Sequence, residues 1–318
     1  MSEKKQMRAA YYEEFGAADK IKVGSLPVPE LKEGEVLIRV KGAGVNPVDS
    51  AVREGYLQAF IPVTFPAIPG WDVAGVVEDR GYSARRFKTG DEVYAYARRP
   101  GVQYGTFAEY LVIPESYLAL RPQQISWEEA AGIPLVGLTA YQSLSDAGNL
   151  QANQTVLILG ASGGVGSLGI QLAKVKGARV IGVASQKNHS HMRELGADYT
   201  LDYHQAQIAE EVKKILPDGV DLIFDCADGE TLQQSLAALK PSGKLVSILN
   251  RGENLPKDLN FQYLFVEPNA TQLDHLRELA DTGKLKVPVS KTYSLDQTAE
   301  AFRQIETHHT TGKIIIKP

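Results

Sequence analysis

VLILGASGGVGSLGIQLAKVKGARVIGVAS, residues 156–185, decides the fold. It is preceded by Thr155, and TVLIL is a continuous apolar run, the pattern of a strand buried on both faces. Val165, Leu168, Leu172 and Val175 then recur near the helical period, and Gly177 stops the helix. ARVIGVA (178–184) is a second strand. A strand, a glycine turn, a helix and a strand are the context that a dinucleotide-binding unit requires. One glycine makes the tight turn, one lets the backbone approach a pyrophosphate, and one lets helix and strand pack closely, while helix N–H groups face the phosphates. Two registers are open. Gly160, Gly163 and Gly166 are spaced GxxGxxG, whereas Gly164, Gly166 and Gly169 are spaced GxGxxG. Because the strand ends at Gly160, the turn is expected over 160–166, with Gly160, Ser162, Gly163, Gly164, Val165 and Gly166 as candidate cofactor contacts. A glycine turn with a purely structural role is the alternative.

The end of the second strand discriminates between cofactors. A carboxylate there binds the 2′-hydroxyl of NAD ribose. Here the strand ends in Ser185, and Lys187 follows. An uncharged residue with a nearby cation suits a 2′-phosphate, so NADPH is expected rather than NADH. A solvated lysine in a polar loop is the plainer reading of Lys187.

Outward from this stretch the pattern continues. HMRELGA reads as a short helix, VDLIFDC (220–226) and KLVSIL (244–249) as strands, with a helix through 232–239 between them, and FQYLFV (261–266) as one more strand. Such alternation predicts a doubly wound parallel sheet. Upstream, VLIRVKGAGV (36–45), AGVVE (74–78), DEVYAYA (91–97) and TFAEYLVI (106–113) are short β-prone runs punctuated by Gly, Pro and Asp, and frequent proline over 27–69 argues against long helices there. The character changes near 122. Ser126 and Glu129 form a capping-box pattern that opens an Ala-rich helix expected to run through Tyr141 and Leu144. After the parallel-sheet pattern come a helix over 270–282 stopped by Gly283, a second capping box at Ser294 and Gln297, and a final strand, KIIIK (313–317).

The 318 residues suggest two domains. A net charge of −4 argues against nucleic acid or an anionic membrane as main partner. No apolar run approaches the roughly 18 residues of a membrane span, and MSEKKQMRAA has no apolar signal region, so a cytoplasmic protein is the expectation. One cysteine excludes an intrachain disulfide framework and any zinc site built on two or more thiolates. None of the six histidines falls in a metal-ligand pattern, and His308-His309 reads as a helix end where cations suit the dipole.

With GVNPVD (44–49), PGWDVAGVV (69–77), GDEVYA (90–95), GTFAEY (105–110), AAGIPLVGLTAYQSL (130–144), GASGGVG (160–166), ELGAD (194–198), FVEP (265–268) and GKIII (312–316), the chain resembles the medium-chain dehydrogenase/reductase superfamily, in its zinc-independent quinone oxidoreductase branch. The resemblance implies an α/β architecture: a GroES-like β-rich catalytic domain over 1–122, completed by 268–318, and a Rossmann NADPH-binding domain over 123–267, with the cofactor in the cleft between them. It implies no zinc, because zinc-dependent relatives carry a cysteine where this chain has Asn46 and a His-Glu pair where it has Trp71-Asp72. Without a Lewis acid to stabilise an alkoxide, hydride transfer to a quinone or an α,β-unsaturated carbonyl is the expected reaction.

The resemblance also implies site residues. Asn46 lies near nicotinamide and acceptor, where its amide is placed to donate to a carbonyl; Tyr56 lines the substrate cleft. Thr139, Phe265 and Val266 face the nicotinamide end, Tyr203 the 2′-phosphate, and Lys313 is a weaker cofactor candidate whose alternative is a strand-edge cation. Asp49 is expected to fix its loop through backbone hydrogen bonds, and Cys226 to be a small buried residue beside the nucleotide. Ala51 replaces an aromatic residue of many relatives, which leaves the acceptor open. A homodimer pairing through FQYLFV is implied as well. The alternatives are an enoyl-thioester (acyl-CoA) reductase and a non-catalytic NADPH-binding protein of crystallin-like or redox-sensing type.

Overall fold

The computed structural model describes residues 5–204, 207–307 and 310–318. The chain divides into two compact units, Met1–Leu135 with Pro268–Gly283 and Val287–Pro318, and Val136–Glu267 with Lys284–Lys286. The pair His308-His309 lies outside the described residues.

In the second unit, six strands form one parallel sheet: β1 (Thr155–Leu159), β2 (Arg179–Val183), β3 (Tyr199–Leu201), β4 (Val220–Asp225), β5 (Leu239–Ser247) and β6 (Phe261–Tyr263). Their order is 3-2-1-4-5-6, the doubly wound arrangement expected from the alternating pattern. All residues of β1 are buried, as its continuous apolar run requires. Because every strand is parallel, the loops after β1, β2, β3, β4, β5 and β6 leave the same edge.

Two expectations shift here. FQYLFV is strand only over Phe261–Tyr263. Leu264 still donates its N–H to Ser247 O at 2.9 Å, but the segment then turns from the sheet toward Gln142, as described below. The expected helix through Tyr141 and Leu144 is broken into three pieces: Trp127–Ala131, Pro134–Tyr141 and a π-helical turn Gln142–Ala147. Pro134 has no N–H to continue the first piece, so it opens the second instead. The Ser126–Glu129 capping box forms as read, with Glu129 N–H donating to Ser126 Oγ at 3.1 Å and Ser126 N–H to the Glu129 carboxylate at 2.8 Å.

The first unit is β-rich. Strand Glu35–Val45 alternates inward Val36, Ile38 and Val40 with more exposed neighbours and is the hub of a seven-stranded sheet. It pairs antiparallel with Asp72–Arg80, with Tyr110–Pro114 and with the C-terminal strand Lys313–Lys317. The last pairing sets Ile314 opposite Val45, so residue 313 arrives beside residue 46. The one helix in the proline-rich stretch 27–69 is Pro47–Arg53, with proline at its first turn. Arg53 anchors it: the buried guanidinium donates to Gly16 O at 2.9 Å and lies 4.7 Å from the Phe302 ring centroid.

Candidate active site

The turn after β1 adopts the 160/163/166 register. Gly160 has φ +70°, a left-handed conformation that glycine adopts without penalty. Gly163 is the N-cap and the helix begins at Gly164, so Gly164, Val165, Gly166 and Gly169 are helical. A Cβ on Gly166 would meet Gly160 O at 2.4 Å and Ala161 Cα at 2.6 Å, which makes it the close-packing glycine. A Cβ on Gly163 would meet only Gly160 O, at 3.4 Å, so that position packs against nothing and leaves room for a ligand to approach the backbone. Gly169 packs instead on Phe224 of β4, 3.2 Å from where its Cβ would lie. This turn suits a pyrophosphate at a twelve-residue helix.

The neighbouring loops present the other sequence-predicted residues of this unit. β2 ends without an acid; Ser185 caps a short turn and Lys187 is exposed. Ala184 N–H donates to Leu201 O at 3.1 Å, so the loops carrying Ser185 and Tyr203 leave the sheet side by side. The Tyr203 ring lies 4.1 Å from that of His204. Thr139 is buried in the Pro134–Tyr141 helix. Phe265 and Val266 lie just before Glu267, whose backbone is held by Gln142, a residue that the sequence reading missed. Its amide donates to Glu267 O at 2.8 Å and accepts from Glu267 N–H at 3.0 Å. The π-helical turn that presents Gln142 is of a kind often found at functional sites.

At the end of β4, Asp225 is another residue that the reading passed over. One carboxylate oxygen accepts from the N–H groups of Ala227 and Asp228 at 3.0 and 2.8 Å, the other from Ser247 Oγ at 2.6 Å. Burial pushes its pKa up. The knot holds Cys226 against the glycine turn, its carbonyl oxygen 2.9 Å from a Cβ placed on Gly160. Cys226 is half-buried rather than buried as expected; desolvation first, then the Asp225 carboxylate, push its thiol well up, so it is no ready nucleophile.

In the first unit the structure brings Asn46 and Lys313 together around Asp72. Lys313 Nζ donates to Asn46 Oδ1 at 2.5 Å, to Val45 O at 3.1 Å and to Asp72 Oδ2 at 3.3 Å. Asn46 Nδ2 donates to the same Asp72 oxygen at 2.9 Å and weakly to Gly44 O at 3.4 Å, while Leu135 N–H donates to the other Asp72 oxygen at 2.7 Å. All three side chains are buried. Gly44 makes room: a Cβ there would lie 2.8 Å from Asp72 Oδ2. Asp49 accepts from Asn46 N–H at 2.8 Å, fixing the loop as read, and its pKa is pushed up to about 8, mainly by burial and then by the Asp72 charge, against the pull of that hydrogen bond and Lys313.

This geometry revises two expectations. The Asn46 amide is committed on both sides and is not presented to an acceptor carbonyl. Lys313 is neither a strand-edge cation nor open to a cofactor; its three donors have three protein acceptors. Tyr56 lies outside the cluster, with 76% of its surface exposed. Arg99 ties the Glu35 carboxylate and Val112 O.

Residues 32–123 match the family described as "Alcohol dehydrogenase GroES-like domain", and 195–316 the one described as "Zinc-binding dehydrogenase". The chain is 37% identical over 323 residues to an NADPH-dependent alkenal/one oxidoreductase, chloroplastic, of Arabidopsis thaliana, covering 99% of this chain and 80% of the relative. It is 36% identical over 323 residues to a 2-methylene-furan-3-one reductase of Solanum lycopersicum, covering 98% and 79%. The solved quinone oxidoreductase from Coxiella burnetii superposes with a TM-score of 0.89 at 30% identity, over 99% of this chain and 100% of that one.

The donor set does not suit the zinc that the second family description implies. Among the described residues no three His, Cys, Asp or Glu side chains converge. The buried carboxylate of Asp72 is already paired with an ammonium and an amide, and a dication beside Lys313 would be repelled. Among the described residues no helix is long and apolar enough to cross a membrane.

Proposed function

Because the chain belongs to the medium-chain dehydrogenase/reductase superfamily and is an oxidoreductase, we propose that it transfers hydride from NADPH to a quinone or an α,β-unsaturated carbonyl without zinc. The observation that carries this reading is Lys313 seated against Asp72 and Asn46, where a metal would need free ligands. Reduction of an unactivated carbonyl leaves charge on one oxygen and calls for a Lewis acid. A conjugated acceptor spreads that charge, so holding and orienting the reactants accomplishes most of the catalysis. The names of the Arabidopsis and tomato relatives, an alkenal/one oxidoreductase and a methylene-furanone reductase, support acceptors of that class.

NADPH, when bound, supplies the hydride. In this reading the nucleotide-binding domain, expected over 123–267, is the second unit, Val136–Glu267 with Lys284–Lys286. The Gly160–Gly166 turn, with Gly163, Gly164 and Val165, holds the pyrophosphate through backbone donors, and its Ser162 hydroxyl serves the 2′-phosphate. Ser185, Lys187 and Tyr203 hold the 2′-phosphate. Thr139, Phe265 and Val266 bound the nicotinamide end, with Gln142 keeping the 264–267 segment in place. Tyr56 offers an exposed ring on which a flat acceptor can stack. Asn46 and Lys313 act indirectly, by fixing the loop from Gly44 to Asp49. A homodimer forms through the free edge of β6.

The test is NADPH oxidation against a panel of quinones, enones, enals, simple ketones and an enoyl-CoA, on protein whose metal content is measured by mass spectrometry. Turnover of quinones or enones by metal-free protein is the expected result. Turnover confined to the enoyl-CoA, tight NADPH binding without any turnover, or stoichiometric zinc that activity requires would each overturn it. Light scattering at micromolar concentration tests the dimer.

A further inference from the structure

Asn188 connects two loops at the carboxyl edge of the parallel sheet. Its side-chain nitrogen donates to Ser162 Oγ, in the glycine turn after β1, at 3.0 Å, and to Ser185 Oγ, at the end of β2, at 3.2 Å. Each hydroxyl oxygen therefore already accepts. Among the described residues neither hydroxyl donates a hydrogen bond. A hydroxyl held in this way keeps its hydrogen for a ligand and must find an acceptor. A ribose diol would be matched by a carboxylate at the end of β2, which the chain lacks. Two hydroxyl donors, with Lys187 exposed one residue from Asn188, match the acceptor oxygens of a phosphate.

We propose that Asn188 is a positioning residue that selects for the ribose 2′-phosphate, by polarising Ser162 and Ser185 as donors. This rests on the NADPH reading above. Asn188 need not touch the cofactor; it sets the direction of the two hydroxyl groups that do.

The experiment is titration calorimetry with adenosine 2′,5′-bisphosphate and, separately, adenosine 5′-diphosphate, which lacks the 2′-phosphate. Wild type is expected to prefer the 2′-phosphorylated nucleotide. Asn188→Ala should weaken that nucleotide about tenfold, the scale of one hydrogen bond to a charged group, and leave the 5′-diphosphate nearly unchanged. Asn188→Asp is close to isosteric but reverses the polarity: the carboxylate draws both hydroxyl hydrogens to itself and repels the phosphate. It should weaken the 2′-phosphorylated nucleotide about a hundredfold, and it keeps the test valid should the alanine variant fail to fold. A wild-type preference that survives both substitutions overturns the inference alone. An equal loss for both nucleotides also overturns it, since the hydroxyls would then serve the pyrophosphate. Equal wild-type affinities overturn the NADPH reading and this inference with it.

Discussion

Lys313 Nζ lies 2.5 Å from Asn46 Oδ1 and 3.3 Å from Asp72 Oδ2, joining the first residue of the last strand to the end of the hub strand and the start of its neighbour. The ammonium is buried, so its removal leaves an unpaired carboxylate out of water. Lys313→Met is expected to destabilise the protein by about 3–5 kcal/mol, as for other broken buried pairs. Lys313→Met combined with Asp72→Asn should be less destabilised than the sum of the single changes, since the second change removes the orphaned charge. Urea denaturation of the three variants checks this; strict additivity would show that the pair is not coupled.

Asp49 supplies a pH signature. Its folded pKa, pushed up to about 8, exceeds the unfolded carboxylate value, so the folded state binds its proton more tightly. This contribution is fully present below the unfolded pKa and is lost as pH rises through the folded one. Wild type should therefore lose stability relative to Asp49→Asn between about pH 4 and pH 8. Asp72 and Lys313 face the same cluster, so the comparison with the variant isolates the Asp49 share. Parallel stability curves for the two proteins over that range would refute it.

The glycine turn predicts a contrast between two alanine substitutions. Gly166→Ala drives a Cβ into backbone and should cost roughly 1–3 kcal/mol or more as an overpacked site. Gly163→Ala has φ −73° and no crowding, so stability should stay within about 1 kcal/mol of wild type. Its methyl group nevertheless occupies the side from which a phosphate approaches. Nucleotide affinity should fall in Gly163→Ala at an unchanged melting temperature, measured by calorimetry beside thermal denaturation.

Gln142 holds both backbone polar groups of Glu267. Gln142→Ala should release that segment at a cost of about 1–3 kcal/mol, because it removes two hydrogen bonds. Hydrogen exchange at the Glu267 amide should quicken while the strands of the parallel sheet stay protected. If that amide remains as slow as in wild type, the glutamine is not what holds it.

Features built from neighbours in sequence were legible without the structure. The 156–185 stretch announces its strands, turn and helix because apolar periodicity and glycine placement are local properties, and the Ser126 and Ser294 capping boxes are defined within four residues. The glycine spacing alone left two registers; the end of the apolar run at Gly160 pointed to the 160–166 turn, and the helix starting at Gly164 agrees with it. What the side chains do to one another was decided by tertiary structure. Lys313 and Asp72 are 241 residues apart, Gln142 and Glu267 125, and Asn188 reaches back 26 residues to Ser162. No periodicity encodes such hydrogen bonds. They depend on which strands pair and which loops share an edge, so Asn46, read as a donor to substrate, and Lys313, read as a cofactor contact, are instead partners in one buried cluster.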